Sequence, residues 1–348
     1  MRGPVGYAQA AVVARAIKSR LLRADVLREA ALAKDLGEAL IALRESMYPG
    51  VGEAKTLTQA LTSIWGGYFK TIRRMAKVTP GEALNIVLAL EREEDLRDIT
   101  TIAYRSAVGK PVEERLPSAF YEGTLTYNIL RDPELLASPQ KILEFTEDTW
   151  AYKYVEPALR VTRELKGGAT PLWAIPLLIA RLYNDSMEGL SSGKRSGLER
   201  LLCPHIEYRL LSALVMARHL DIPSRFIDMV MGRKVTLCGA PLGELKGLYE
   251  READPVSLAG ELRGLLRDIR VEGKSVYEIL FNSMRSSRYN LKSRAISSMS
   301  GYPFNPAFIT ASLVLLKLEV EMITFIVASK EYRVKPAEVV EKLGLETL

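Results

Sequence analysis

Residues 319–326 read "EVEMITFI", an acidic residue followed by aliphatic residues at helical spacing. Two related stretches lie upstream, "EYRLLSAL" at 207–214 and "DLRDITTI" at 95–102. Their first residues, Asp95, Glu207 and Glu319, are separated by steps of 112 residues. Aliphatic and hydroxyl side chains follow each acid at the same offsets. The chain therefore has a period of 112 residues, and we interpret the three acids as structural anchors of three repeats.

Further landmarks keep the same period. A basic residue closes each segment and a proline follows five or six residues later; these residues are Arg105, Arg218 and Lys330, then Pro111, Pro223 and Pro336. Amphipathic helices resemble one another by chance, and the shared prolines argue against chance here. The period is too long for a tetratricopeptide or HEAT unit. We predict three helical domains at residues 1–117, 118–231 and 232–348, arranged as a pseudo-threefold body.

Helix start signals recur along the chain. A capping side chain followed by proline is typical of a first helical turn, and six such pairs occur: Thr79-Pro80, Asp132-Pro133, Ser138-Pro139, Thr170-Pro171, Asp254-Pro255 and Asn305-Pro306. Glu82 lies where a capping box with Thr79 would need it. Apolar residues then keep helical spacing, as at Leu313, Leu316, Val320, Ile323 and Val327. Strand signals are rare, so we predict an all-α protein.

The bulk composition is that of a folded protein with a large core: 348 residues, 48% hydrophobic and 26% charged. The longest apolar run covers residues 308–316, too few for a membrane crossing. No apolar signal-peptide core lies near the start, so we expect a protein of the cytosol or of the cytosolic face of a membrane. Glu, Lys and Arg abound while Gln occurs three times, a balance reported for thermophiles.

Candidate catalytic groups are scarce. The cysteines Cys203 and Cys238 are interpreted as two buried thiols, and His205 and His219 are too few for a histidine metal site. The stretch "GLSSGKRSG" at 189–197 lacks phosphate-loop spacing and is predicted to be a flexible loop. The acidic run "EREEDLRD" at 91–98 alternates with arginines, which predicts a solvated, ion-paired helix face. We therefore expect a protein that is not an enzyme and that has no catalytic residues, no cofactor and no metal.

The net charge is +6, and two basic clusters stand out. The first contains Lys70, Arg73, Arg74 and Lys77, and the second contains Arg285, Arg288, Lys292 and Arg294. Each is either a solvated helix face or a docking surface for an acidic protein, lipid headgroups or nucleic acid. Neither a zinc-knuckle spacing nor an aromatic RNA-binding motif accompanies them, which disfavours nucleic acid.

Three segments carry a resemblance to a known family. They are "YAQAAVVARAIKSRLL" at 7–22, "LRESMY" at 43–48, and the C-terminal stretch from Glu319 through Lys330 and Pro336 to Leu343. They resemble the C subunit of archaeal A-type ATP synthases and its counterpart, the d subunit of V-type ATPases. Ser46 replaces a Thr of the family pattern. The chain departs from it at Met322-Ile323-Thr324, where the family commonly has Asn-Leu-Arg.

The resemblance implies a funnel of three helical bundles that sits on the membrane rotor ring and receives the foot of the central stalk. The protein would be a non-catalytic rotor subunit of an A/V-type rotary ATPase, peripheral on the cytoplasmic face of the cell membrane. Its partners would be proteolipid ring subunits and central-stalk subunits, with no nucleic acid and no small-molecule substrate. Two alternatives stay open: a helical scaffold or RNA-associated protein that uses the basic clusters, and an all-α enzyme with an unrecognised cofactor.

Overall fold

The computed structural model describes residues 4–109, 123–165, 170–232 and 236–345. Within these ranges the chain forms seventeen α-helices, one 3-10 helix and one two-stranded hairpin. The prediction of an all-α fold is confirmed.

By compactness, the described chain divides into two units. One comprises residues 4–88 and 295–345, and the other comprises residues 89–109, 123–165, 170–232 and 236–294. The helices α5 (Gly81–Ala107) and α15 (Val276–Ser298) each contribute residues to both units.

The first unit is built around the helix α16 (Pro306–Glu331), of which nineteen residues are buried. Its predicted periodic positions are all buried: Leu313, Leu316, Val320, Ile323 and Val327. A helix that is apolar on all sides must be covered on all sides. The covering helices are α1 (Pro4–Arg20), α2 (Ala24–Leu32), α3 (Leu36–Ala42), α4 (Leu57–Val78) and α17 (Pro336–Leu343). The 3-10 helix (Val51–Glu53) connects α3 to α4.

The second unit centres on α11 (Ser192–His219), which packs against α10 (Thr170–Ser186) and α14 (Pro255–Leu262). Along the chain, four helices follow the long helix α5 and precede α10: α6 (Leu125–Arg131), α7 (Pro133–Leu136), α8 (Pro139–Thr146) and α9 (Tyr152–Leu165). The remaining helices are α12 (Ser224–Met231), α13 (Leu242–Arg251) and α15 (Val276–Ser298).

Four of the six predicted caps form as expected. The side chains of Asp132, Ser138, Asp254 and Asn305 accept backbone N–H groups in the first turns of α7, α8, α14 and α16, each of which begins with proline. The prediction at Thr79 is wrong, because its hydroxyl donates to the carbonyl of Met75 in the preceding helix. The next helix instead begins at Gly81, and Glu82 accepts from the Tyr7 hydroxyl at 2.6 Å. The helix α10 begins at Thr170, whose side chain lies outside the described residues.

The hairpin pairs Thr236–Leu237 with Ala240–Pro241 in antiparallel register. Cys238 and Gly239 form its turn with φ values of 53° and 83°, the left-handed pair that a primed turn requires. Cys238 is disulfide-bonded to Cys203 of α11, across a Cα–Cα distance of 5.4 Å. The interpretation of two buried thiols is therefore wrong. The two cysteines meet because the turn returns to α11 after 35 residues, a long-range approach without a sequence signal.

The 112-residue period recurs in the backbone where the long helices end. Gly109, Asp221 and Arg333 follow α5, α11 and α16, and all three have positive φ, at 68°, 52° and 54°. Left-handed residues commonly end helices, usually as glycine. Pro223 then lies directly before α12, and Pro336 is the first residue of α17. Both prolines therefore lie at the start of the next helix, while Pro111 lies outside the described residues.

The positive φ at Gly109 allows a direct test of the helix end assigned there. We expect Gly109→Ala to lower the free energy of unfolding by about 1 kcal/mol, because a Cβ is disfavoured in the left-handed region. A Cβ at this position meets nothing within 4 Å, so the effect isolates the backbone conformation. The measurement is denaturant unfolding.

Gly193→Ala in α11 is the matched control. Its Cβ also meets nothing within 4 Å, and its φ is not positive. Alanine inside a helix is neutral or stabilising relative to glycine. Equal destabilisation by the two substitutions would contradict the assigned helix end.

Candidate docking surfaces and buried anchors

The anchor Asp95 lies on α5 and is 5% exposed. Its carboxylate accepts the backbone N–H groups of Leu125 and Thr126, both at 2.9 Å, and the Thr126 hydroxyl at 2.5 Å. These are the first two residues of α6, whose N–H groups have no partner within the helix. Burial raises the pKa of Asp95, against the opposing effect of these hydrogen bonds. Asp95 thus fixes the start of α6 on α5.

The anchor Glu207 occupies the equivalent place on α11. Its carboxylate accepts the backbone N–H of Asp268 at 2.6 Å, in the segment between α14 and α15. Burial raises the pKa of Glu207 to about 7. Arg294 holds the same segment through an ion pair with Asp268, and it donates to the Arg200 carbonyl at 2.7 Å.

The anchor Glu319 lies on α16 and is 3% exposed. One carboxylate oxygen accepts the backbone N–H of Leu22, between α1 and α2, and the other accepts the Tyr48 hydroxyl at 2.7 Å. Burial raises the pKa of Glu319 and holds that of the Tyr48 hydroxyl well above its usual range. All three predicted anchors are therefore buried acceptors of main-chain N–H groups, which is a structural role.

Two of the basic residues that close the repeats also bond to main chain. The Lys330 ammonium donates to the carbonyls of Ala31 and Ala33, at 2.6 and 2.7 Å, where α2 ends. Arg218 donates to the Tyr249 carbonyl near the end of α13. Cations are favourable at the carboxyl ends of helices. In the second and third segments, the acid therefore accepts a hydrogen bond from a backbone N–H group, and the base donates to backbone carbonyls.

The acidic run at 91–98 differs from its prediction. Glu93, Glu94, Asp95 and Asp98 are each 5% exposed or less, so the run is not a solvated face. The prediction is wrong because the spacing of charges along one helix shows only neighbours on that helix. Although Arg97 does pair with Glu93 and Glu94 as the spacing predicts, the face is covered by other elements.

Glu93 shows which elements cover this face. It accepts from the Tyr183 hydroxyl of α10 at 2.7 Å and from Arg209 of α11 at 2.8 Å, and His205 lies 3.3 Å away. These partners are about a hundred residues distant in sequence, so local spacing contained no signal for them. The group is an ion-paired cluster inside the second unit.

The stretch at 189–197 also differs in part from its prediction as a flexible loop. The helix α11 begins at Ser192, so residues 192–197 are helical. Among the described residues, no group of three or more His, Cys, Asp or Glu side chains is placed to hold a metal ion.

The first basic cluster lies on the last turns of α4. Lys70, Arg74 and Lys77 are exposed, whereas Arg73 is half-buried. Arg20, at the end of α1, borders the same apolar groove as Lys70 and Arg74. The sequence placed Arg20 in a different segment, so its place beside this cluster was missed.

The second basic cluster lies along α15. Arg285, Arg288 and Lys292 are exposed, while Arg294 is half-buried and bound to Asp268. Two tyrosines missed by the sequence analysis share this helix, Tyr277 at 73% and Tyr289 at 75% exposure. Tyrosine and arginine are the side chains enriched at protein interfaces. Arg294 is thus part of the fold, and the other three cations are left as candidate docking residues.

No described helix is both long enough and apolar enough to cross a membrane. Comparison with protein-family models gives no match, and comparison with curated proteins gives none either. The resemblance therefore rests on the residues alone.

The raised pKa of Glu207 predicts a pH dependence of stability. The folded protein retains a proton at Glu207 up to about pH 7, whereas the unfolded chain loses it near 4.5. Because the folded state binds more protons in this window, Glu207 makes the free energy of unfolding fall as pH rises, by on the order of 3 kcal/mol. Glu207→Gln keeps an acceptor for Asp268 and removes the titration. We expect the stability of the variant relative to wild type to increase from pH 4.5 to 7.5, measured by denaturant unfolding.

The exposed Glu331→Gln is the control, and its stability relative to wild type should not follow this trend. A constant difference between wild type and Glu207→Gln across this pH range would contradict the burial of an ionisable Glu207.

Proposed function

We propose that this protein is a non-catalytic central-stalk subunit of an A/V-type rotary ATPase, coupling the membrane rotor ring to the central stalk. One observation carries the proposal. The three segments that bear the family resemblance meet at a single carboxylate: Glu319 binds the N–H of Leu22 and the hydroxyl of Tyr48. Residues far apart in sequence thus share one hydrogen-bond network, as parts of a common family pattern would.

The repeated anchors support the internal triplication that the proposal requires. Asp95, Glu207 and Glu319 each hold the main chain of a segment outside their own helix, at sequence distances of 30, 61 and 297 residues. The third acid binds near the start of the chain. We propose on this basis three helical bundles, at 1–117, 118–231 and 232–348, closed into a pseudo-threefold funnel.

The exposed cations support a docking role. An adaptor between ring and stalk needs two surfaces, and α4 and α15 each present a group of exposed basic side chains. Charge complementarity steers such partners and fixes their orientation. We propose a peripheral place on the cytoplasmic face of the cell membrane, with ring and stalk subunits as partners. The composition and the disulfide between Cys203 and Cys238 fit a thermophilic source, and the family resemblance implies an archaeal one.

A specific observation favours the second candidate, an RNA-associated scaffold. Arg285 and Arg288 lie between Tyr277 and Tyr289 on α15, and all four side chains are exposed. Single-stranded nucleic acids bind surfaces that combine aromatic side chains with positive charge. The two candidates predict different co-purifying molecules, so one experiment separates them.

The test is capture of the tagged protein from mildly solubilised membranes of its own host, with and without RNase, followed by mass spectrometry. We expect ring and stalk subunits to be recovered whether or not RNase is added. Arg285→Glu with Arg288→Glu should reduce recovery of one partner about tenfold, because two attractive contacts become repulsive.

The matched control is Lys34→Glu with Lys55→Glu, which changes the net charge equally at exposed positions outside both clusters. It should leave recovery unchanged. Recovery of RNA without ATPase subunits would overturn the proposed function and favour the scaffold. Full recovery by the Arg285 and Arg288 variant would remove α15 from the docking role.

A further inference from the structure

The helices α1 and α4 pack against each other and concentrate positive charge. Three cations lie on α1 and four on α4, and neither helix contains a single Asp or Glu. The whole chain has a formal net charge of only +6, so the seven cations of these two helices exceed its positive excess. Such a segregated field attracts an anionic partner.

A groove opens between these two helices, with a cavity of about 240 Å³. Apolar side chains line it, among them Val12, Ile17 and Met47, and the basic side chains of Arg20, Lys70 and Arg74 border it. Ile17 is buried, while Val12 is 67% exposed. No carboxylate of the described chain pairs with these three cations. The groove thus offers apolar surface surrounded by unneutralised positive charge.

We propose that this groove docks an acidic amphipathic helix of a partner protein, which seats an apolar side chain between α1 and α4 and places carboxylates against Arg20, Lys70 and Arg74. Helices commonly bind in this way, with the apolar face in a groove and polar side chains at its edges. The cations select a partner whose polar positions are Asp or Glu, since a basic helix would be repelled.

The geometry disfavours other ligands. The cavity is smaller than the 300–1,000 Å³ or so of typical small-molecule sites. Stacking of nucleic-acid bases needs exposed aromatic side chains, and the aromatic residues Trp65, Tyr68 and Phe69 of α4 are buried. Binding in a membrane interface needs a broad apolar face that reaches the acyl chains. Here Val12 is exposed, but Ile17 is buried and Met47 is half-buried.

This inference rests on the proposed function only for the identity of the partner. A stalk or ring subunit with an acidic helix is the expected occupant, but the charge and shape of the groove are properties of this chain. The two proposals can therefore fail separately.

The test is fluorescence anisotropy with the full-length protein and a labelled helical probe of about 18 residues, with leucines on one face and glutamates beside them. We expect saturable binding to the wild type. Lys70→Glu with Arg74→Glu should weaken it about tenfold, and Val12→Glu should weaken it as well. Lys34→Glu with Lys55→Glu should leave binding unchanged.

Two altered probes separate the contributions. Replacing the glutamates by glutamine tests the cations, and replacing the leucines by alanine tests the groove; each should weaken binding. Probe binding that is indifferent to either replacement would overturn the proposal. So would preferential binding to phosphatidylglycerol vesicles or to poly-uridine that is lost in the Lys70 and Arg74 variant.

The same variant in the membrane capture distinguishes the two proposals. Unchanged recovery of ATPase subunits would overturn the groove as a docking site and leave the proposed function standing. Probe binding without any ATPase subunit in the capture would support the groove as a docking site and overturn the proposed function.

Discussion

A buried carboxylate must find hydrogen-bond donors, and this requirement organises the fold. Leaving such a group without donors would cost several kcal/mol. Asp95, Glu207 and Glu319 meet the requirement with backbone N–H groups of segments 30 to 297 residues away. Each acid thereby ties one long helix to a segment outside it. The anchors fix register because a backbone N–H has a defined position, whereas apolar contacts between helices tolerate sliding.

The burial of these acids also explains why the surface is positively charged. Six carboxylates are buried in the described chain, and two lysines are buried. Acids that bind main chain or pair inside the second unit do not neutralise cations outside, so the surface is more positive than the net charge of +6 indicates. The helices α1 and α4 contain no carboxylate at all, so no acid on either helix offsets their seven cations. Internal anchoring and an electropositive exterior are two consequences of one distribution of acids.

Local features of the fold were predictable from the sequence, and long-range ones were not. Asp132, Ser138, Asp254 and Asn305 cap helices because capping depends on neighbours within three residues. The period identified the anchors, since equal spacing is visible without a structure. It could not show that Glu93 would face Tyr183 and Arg209, or that Cys203 would meet Cys238, because those contacts depend on how distant helices pack. The groove beside Lys70 was hidden for the same reason, since Arg20 joins it from another helix.

Amide hydrogen exchange of wild type and of the Asp95→Ala, Glu207→Ala and Glu319→Ala variants tests the anchoring role most directly. The account predicts that each substitution accelerates exchange first in the segment that its own acid binds: 125–126, 268 and 22, respectively. The segments bound by the other two acids should keep most of their protection. Unchanged protection at all three segments, or a uniform loss throughout the chain in every variant, would contradict the claim that these carboxylates fix particular segments to the long helices.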